Sequence, residues 1–381
     1  MSGQTPESIT ELIPVSLLTG FLGSGKTTVL NHVLHQPDME KSAVIVNEFG
    51  EVGLDHELTV TGAEDMVLLN SGCLCCTVRG DLVNTLRDLM MLRLREDVPS
   101  FERILIETTG LADPAPILHT LMSDQLVTNY FRLDGVIATV DAVNGEDTLD
   151  KQFESVKQAA VADRILITKT DLVDDKVVAS LEARLDTINP AAPRQRVING
   201  EVELEVLFNA GLFNPSVKGP DVERWLQDEA YADAQGNDHA HGHAHDHGHD
   251  HDHGHDHDHA HAHDVNRHDD LISSFCVTYD EPLRLDALEQ WLDTIMMLKG
   301  PDLLRIKGIV NVAEMDKPVV IHGVQHVFHP PAVLDAWPSE DRRTRIVFIT
   351  RDVERATIED TLHWFSEKKM QMSPPPTRGL I

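Results

Sequence analysis

Two patterns of apolar and polar positions divide this chain. From residue 13 to about residue 200, short apolar runs alternate with stretches in which apolar side chains recur every third or fourth position. Runs of the first kind read as buried strands, and the periodic stretches read as amphipathic helices. Strands are expected at 15–19, 43–46, 66–70, 103–107, 135–140, 164–168 and 194–197, with helices at 26–35, 80–94, 116–121, 153–160 and 176–187. Strand–helix alternation builds βαβ units, so the expected fold class is α/β, a doubly wound and mostly parallel sheet. Residues 200–235 are irregular apart from a short helix near 222–231. After residue 271 the order changes to strands at 273–279, 303–313, 318–321, 325–328 and 344–349, with helices at 285–298 and 353–367. That order predicts a smaller C-terminal α+β domain, a mostly antiparallel meander with two helices on one face. The expected division is 1–215, a linker over 216–270, a second domain over 271–370, and a Pro-rich tail over 371–381.

The first strand runs straight into GFLGSGKT at 20–27, and a helix follows. A Gly-rich turn between strand and helix aims backbone N–H groups and a helix N-terminus at one point, where a phosphate fits. Gly20, Gly23, Ser24, Gly25, Lys26, Thr27 and Thr28 form this candidate phosphate loop. Lys26 would reach the β- and γ-phosphates, and the Thr27 hydroxyl would ligate Mg²⁺. The pattern identifies a nucleoside triphosphate as ligand and a P-loop NTPase as the fold.

Three strand-end segments refine that reading. At 168–171, Thr168-Lys169-Thr170-Asp171 places a carboxylate where it can accept from guanine N1–H and N2–H₂, a donor pair adenine lacks. A wrong base would leave polar groups unpaired, so guanine is favoured; the Lys169 stem would pack along the base. At 107–110, Glu107 can hold the hydration shell of Mg²⁺, and Gly110 can offer its N–H to the γ-phosphate. The loop Asn47-Glu48-Phe49-Gly50-Glu51 is a candidate switch ordered by γ-phosphate and Mg²⁺, although Glu48 and Glu51 equally suit a solvated loop. Lys26, Glu107 and Gly110 are the expected catalytic group. With no arginine finger evident in cis, intrinsic hydrolysis should be slow.

Between those two switch candidates lies Gly72-Cys73-Leu74-Cys75-Cys76. Three thiols in four positions suit a borderline-soft divalent ion such as Zn²⁺ better than a strained disulfide. One short loop leaves a coordination position open, which favours an exchangeable site over a structural one. Cys276, inside a strand pattern, reads as a small buried residue. A second metal signal is the tract His239, His241, His243, His245, His247, His249, His251, His253, His255, His257, His259, His261 and His263, spaced by Ala, Gly and Asp alone. It can bury no apolar face, so it is expected to be a disordered, solvated linker. At this imidazole density it should also collect Zn²⁺, Co²⁺, Ni²⁺ or Cu²⁺ weakly.

The net charge of −31 disfavours nucleic acid and anionic membrane as partners. There is no secretory signal and no long apolar run, and four cysteines make no disulfide framework, so a cytoplasmic location is expected.

Taken in order, GFLGSGKTT, NEFGEVGLD, GCLCC, ETTGLADP and TKTD closely resemble the CobW/YjiA-type GTPase metallochaperones, in particular their zinc chaperone branch. Arg305-Ile-Lys307-Gly308 and Gly323-Val-Gln325 resemble the same family's C-terminal domain. The resemblance implies a P-loop GTPase related to the nickel-delivery GTPases of hydrogenase and urease maturation, with GTP, Mg²⁺ and Zn²⁺ as cofactors. It also implies that Cys73, Cys75 and Cys76 bind the cargo metal and that apo-metalloenzyme clients are partners. A homodimer is a further expectation. Cobalt or nickel as cargo, a metal-sensing GTPase that delivers nothing, and a storage protein are the alternatives.

Overall fold

The computed structural model describes residues 12–46, 59–60, 66–68, 74–77, 82–208 and 272–370. The first part contains β1 (Ile13–Gly20), α1 (Lys26–Leu34), β2 (Ser42–Val46), β3 (Thr59–Val60), β4 (Met66–Leu68), β5 (Leu74–Thr77), α2 (Leu82–Leu94), β6 (Arg103–Glu107), α3 (Ala115–Ser123) and α4 (Gln125–Thr128). It continues through β7 (Phe131–Asp141), α5 (Gly145–Lys151), α6 (Phe153–Val161), β8 (Arg164–Thr168), α7 (Asp175–Ile188), β9 (Arg194–Val197) and α8 (Leu204–Leu207).

These strands form one sheet in the order β3-β4-β5-β2-β6-β1-β7-β8-β9. All pairs from β5 to β9 are parallel, while β3 and β4 are antiparallel additions at the edge. The parallel strands are apolar along their length because helices cover both faces. Leu17, Ile45, Ile104 and Ile106 face Leu86, Leu89 and Leu118 of α2 and α3. On the opposite face Leu18, Val44 and Leu105 meet Val29, Leu30 and Val33 of α1. Each fully buried side chain of this kind contributes about 1.5–3 kcal/mol. After β6 the chain crosses β1 and continues at β7, so the sheet reverses direction beside β1. A crevice opens outside the strand ends at such a switch point.

The second part contains β10 (Ile272–Tyr279), α9 (Leu285–Lys299), β11 (Leu303–Val310), β12 (Val319–Val324), β13 (Val327–Phe328), β14 (Ala332–Val333), β15 (Thr344–Arg351) and α10 (Arg355–Met370). Its sheet is antiparallel, as expected, but it is not a simple meander: the order is β10-β15-β11-β12-β13. The last strand inserts between β10 and β11. β15 is buried at seven of its eight positions, so it needs a partner on each side. Phe275, Ile306, Ile321 and Phe348 face Leu288, Trp291, Ile295, Ile358 and Leu362 of α9 and α10. The other face turns toward the first sheet, where Leu304 and Ile349 pack with Ala159 and Ala160 of α6. Cys276, 4% exposed, packs with Ile309, Val320 and Val347, so its reading as a small buried residue holds.

The centre of that interdomain face is ionic. Arg305 donates to the carbonyl of Val161 and to Asp163 Oδ1, and Lys307 Nζ donates to the same oxygen. Asp163 Oδ2 accepts from the backbone N–H of Val136 at 2.9 Å. Lys307 pairs across the strands with His322, and all four side chains are buried. Burial pushes the Asp163 carboxyl up, but Arg305 and Lys307 more than offset this and hold it well below the ordinary carboxylate range. Burial and the adjacent Arg305 pull Lys307 down to about 8, against the pull of Asp163. Burial, with Lys307 and Arg305 behind it, keeps His322 well below the ordinary histidine range.

Candidate functional site

The crevice beside β1 is built by Gly20 to Thr28. Gly20 has φ +144°, and a Cβ there would lie 2.2 Å from Thr139 Oγ1 and 2.5 Å from the Thr139 carbonyl oxygen. Only glycine lets the loop pass this close to β7. Lys26 opens α1 and turns back over the loop, donating to the carbonyls of Gly20 at 2.8 Å and Phe21 at 3.0 Å. The loop is tied to the sheet by hydroxyls: Ser24 Oγ and Thr139 Oγ1 are 2.6 Å apart, and Thr168 Oγ1 donates to the Ser24 carbonyl at 2.7 Å.

Glu107, 5% exposed at the end of β6, accepts from Thr27 Oγ1 at 3.1 Å. The two side chains predicted to share Mg²⁺ therefore converge across 80 residues of sequence. A buried carboxylate beside an exposed hydroxyl at a helix N-terminus is an all-oxygen donor set of the kind a hard cation takes. The loop after Glu107 returns against the phosphate loop. A Cβ on Gly110 would lie 2.7 Å from the backbone nitrogen of Leu22, so a side chain there would force the two loops apart.

Thr168 ends β8, and Lys169 and Asp171 follow it. Thr168 is buried, and its hydroxyl is engaged with the phosphate loop rather than directed at a base. Lys169 has a left-handed backbone, φ +56°, and its ammonium lies 3.7 Å from Asp141 Oδ2. Asp171 is exposed just beyond it. Thr139, Thr108 and Gln158 were missed in the sequence. Thr108 Oγ1 donates to Thr19 Oγ1 at 2.9 Å, and Gln158 Nε2 donates to the carbonyls of Gly110 at 3.2 Å and Ala112 at 3.0 Å. Thr139 lies inside an apolar strand and Gln158 inside a helix, with no local motif to mark either; Thr108 stands in the ETTGLADP segment, where only Glu107 and Gly110 carried an expected role.

Cys75 and Cys76 have their backbone in β5 rather than in a loop. They pair with Val44 and Ile45 on one side and with Val67 and Met66 on the other. Cys73, Glu48 and the thirteen histidines of 239–263 lie outside the described residues, as do the predicted helix at 222–231 and the tail. Among the described residues, no group of three His, Cys, Asp or Glu side chains comes together as a metal site. None of the described helices is long and apolar enough to cross a membrane.

A doubly wound sheet, a glycine turn closed by lysine at a helix N-terminus, and a strand-end acid on the adjoining hydroxyl define a P-loop nucleoside triphosphatase. Residues 14–196 match the CobW/HypB/UreG nucleotide-binding domain, and residues 272–365 match the cobalamin synthesis protein cobW C-terminal domain. The zinc chaperone YjiA of Escherichia coli is 32% identical over 338 residues, covering 88% of this chain and 93% of that protein. The zinc chaperone CobW of Pseudomonas aeruginosa is 30% identical over 384 residues, covering 92% and 90%. The Zn(II)-bound YjiA GTPase from E. coli superposes with a TM-score of 0.68 at 29% identity, over 93% of this chain and 99% of that one. The chain belongs to the CobW family of GTPases.

Proposed function

We propose that this GTPase is a zinc chaperone: it binds Zn²⁺ through Cys73, Cys75 and Cys76 and yields it to client apo-metalloproteins under control of the bound nucleotide. The observation that carries the reading is the register of three neighbouring strands. Val46 of β2 pairs with Thr77 of β5 on one side and with Glu107 of β6 on the other. Cys76 thus lies one residue back from the strand end, two strands from the acid at the phosphate loop. Adjacent strands are about 4.8 Å apart, so the separation is on the order of 10 Å. The names of the relatives, zinc chaperones in two bacteria, support the choice of metal.

In this reading Lys26 and the loop N–H groups bind the β- and γ-phosphates, and the Gly110 N–H reaches the γ-phosphate. Asp171 selects guanine, with the Lys169 stem along the base. Mg²⁺, held by Thr27 and Glu107, would neutralise charge on the phosphates during hydrolysis. The sheet ends carrying these groups and the cysteines are shared, so loss of the γ-phosphate reshapes the loops on both sides of β2 and loosens the zinc. The tract at 239–263 supplies ions at high effective concentration.

The test is zinc release to a chromophoric chelator from loaded protein when Mg²⁺ and GTP are added. Release should be slow while GTP is bound and rise to the GDP rate as GTP is hydrolysed in the natural protein, whereas in Lys26→Ala the release rate should not depend on added GTP. Equal release from both overturns nucleotide control. Deleting 239–263 should lower zinc stoichiometry and leave GTP turnover unchanged; a large loss of turnover contradicts the reservoir role.

A further inference from the structure

Helix α6 touches both the nucleotide site and the C-terminal domain. From its middle, Gln158, 1% exposed, holds the carbonyls of Gly110 and Ala112. One residue earlier, Lys157 Nζ donates to Asp113 Oδ2 at 2.7 Å, while Asp113 Oδ1 accepts from the N–H of Ala115 at 3.0 Å and starts α3. Two adjacent side chains of one helix therefore hold the whole 110–113 loop, the loop that also rests on Leu22 of the phosphate loop.

The ends of the same helix are gripped from β11 and β15. At its start, the Arg351 guanidinium lies 4.9 Å from the centre of the Phe153 ring and is itself held by Asp302. At its end, Arg305 takes the last carbonyl of the helix, Val161, and Arg305 and Lys307 together take Asp163. A planar guanidinium that bridges a helix carbonyl and a carboxylate fixes position as well as charge. Any displacement of the 110–113 loop must move α6 or break the Gln158 and Lys157 contacts, and a movement of α6 acts directly on the second sheet.

We propose that α6 couples the C-terminal domain to GTP hydrolysis. Gln158 and Lys157 are positioning residues for the 110–113 loop, and Arg305, Lys307 and Arg351 set the helix that carries them. The inference rests on Gly110 facing the γ-phosphate, as assigned above. A client or metal that displaces the C-terminal sheet would thereby change the hydrolysis rate, and the nucleotide would in turn change affinity at that sheet.

The experiment measures phosphate release and GDP affinity in the full chain. Gln158→Ala is expected to lower kcat about tenfold, within the range for a misplaced catalytic loop, with GDP affinity held within about twofold. Arg305→Lys keeps the charge beside Asp163 and loses the guanidinium fork; it should lower kcat by about threefold to tenfold. The double variant should be no slower than about the slower single one, because both changes act through one helix. Natural kcat in Gln158→Ala, or a double variant as slow as the product of the two single effects, overturns the coupling. Should either variant lose GDP binding, Lys157→Met decides, because this side chain is partly exposed: reduced kcat with intact GDP affinity supports the proposal, and natural kcat overturns it. If Lys26→Ala hydrolyses GTP as fast as the natural chain, the nucleotide-site assignment fails instead.

Discussion

The nucleotide crevice and the interdomain face both place polar groups where apolar ones would pack more easily, and they do so by opposite means. In the crevice Lys26 and Glu107 stand among backbone groups and short hydroxyls held by glycines against β7, and Thr27, Thr28 and Asp171 remain exposed. At the interdomain face Arg305 and Lys307 share the one carboxylate of Asp163, all three buried, next to an apolar contact of Leu304 and Ile349 with α6. The first arrangement is built to receive charge from outside and the second to keep its own. A pocket for phosphate gains from N–H groups that have no internal obligation. A buried ion cluster gains little stability for its desolvation cost, yet fails badly when one member is removed.

The comparison can be broken at either end. The largest effect should come from Gly20→Ala, whose Cβ would collide with the Thr139 hydroxyl and carbonyl. We expect kcat/KM for GTP to fall at least about 10³-fold, equivalent to about 4 kcal/mol, in a protein that still folds with a lowered thermal midpoint. Loss of folding in place of loss of nucleotide binding would show that the loop is a structural core. Next in size, Asp163→Ala leaves Arg305 and Lys307 without their shared carboxylate. It should cost about 3 kcal/mol in urea unfolding, with GTP affinity nearly preserved in the folded fraction.

A smaller effect is written in the pH dependence. His322 faces Lys307, Arg305, Asp163 and His329, and its pKa lies well below the ordinary value. The unfolded chain therefore binds a proton at His322 near pH 6 that the folded chain does not, and stability falls as pH drops below about 6.5. The slope approaches about 1.4 kcal/mol per pH unit. His322→Gln should flatten that limb, and an unchanged slope would remove His322 from the buried cluster. Asp163, whose pKa is depressed, adds its own loss only below about pH 4. The smallest effect belongs to the surface pair Arg355–Glu359 on α10, where Glu359→Gln should change stability by under about 0.5 kcal/mol. A cost comparable to that of Asp163→Ala would mean that burial does not separate the two kinds of ion pair.

Legibility in the sequence followed the range of the interactions. The phosphate loop, the strand ends at Glu107 and Thr168 and most helices were readable because glycine spacing and apolar periodicity are local. The hydrogen bond between Thr27 and Glu107 was anticipated only as a shared task, and the fold supplies the contact. The pairing of β15 between β10 and β11 was not readable, since nothing near residue 344 records which strands lie beside it. Cys75 and Cys76 were assigned to a loop because the strand Leu74–Thr77 is too short for its alternation to stand out. Nothing local marks Asp163 or Lys157, whose partners Arg305, Lys307 and Asp113 lie 44 to 144 residues away. Arg305 and Lys307 were marked only by resemblance, and their partner lies more than 140 residues away.

The central claim is that nucleotide state sets zinc affinity at the cysteine segment. It is tested most directly by competition titration of Zn²⁺ against a calibrated chelator, in protein saturated with Mg²⁺ and either a non-hydrolysable GTP analogue or GDP. Allosteric coupling of about 1–3 kcal/mol corresponds to about 5- to 150-fold, and zinc should bind more tightly by a factor in that range with the GTP analogue. Affinities equal within about twofold would contradict the account.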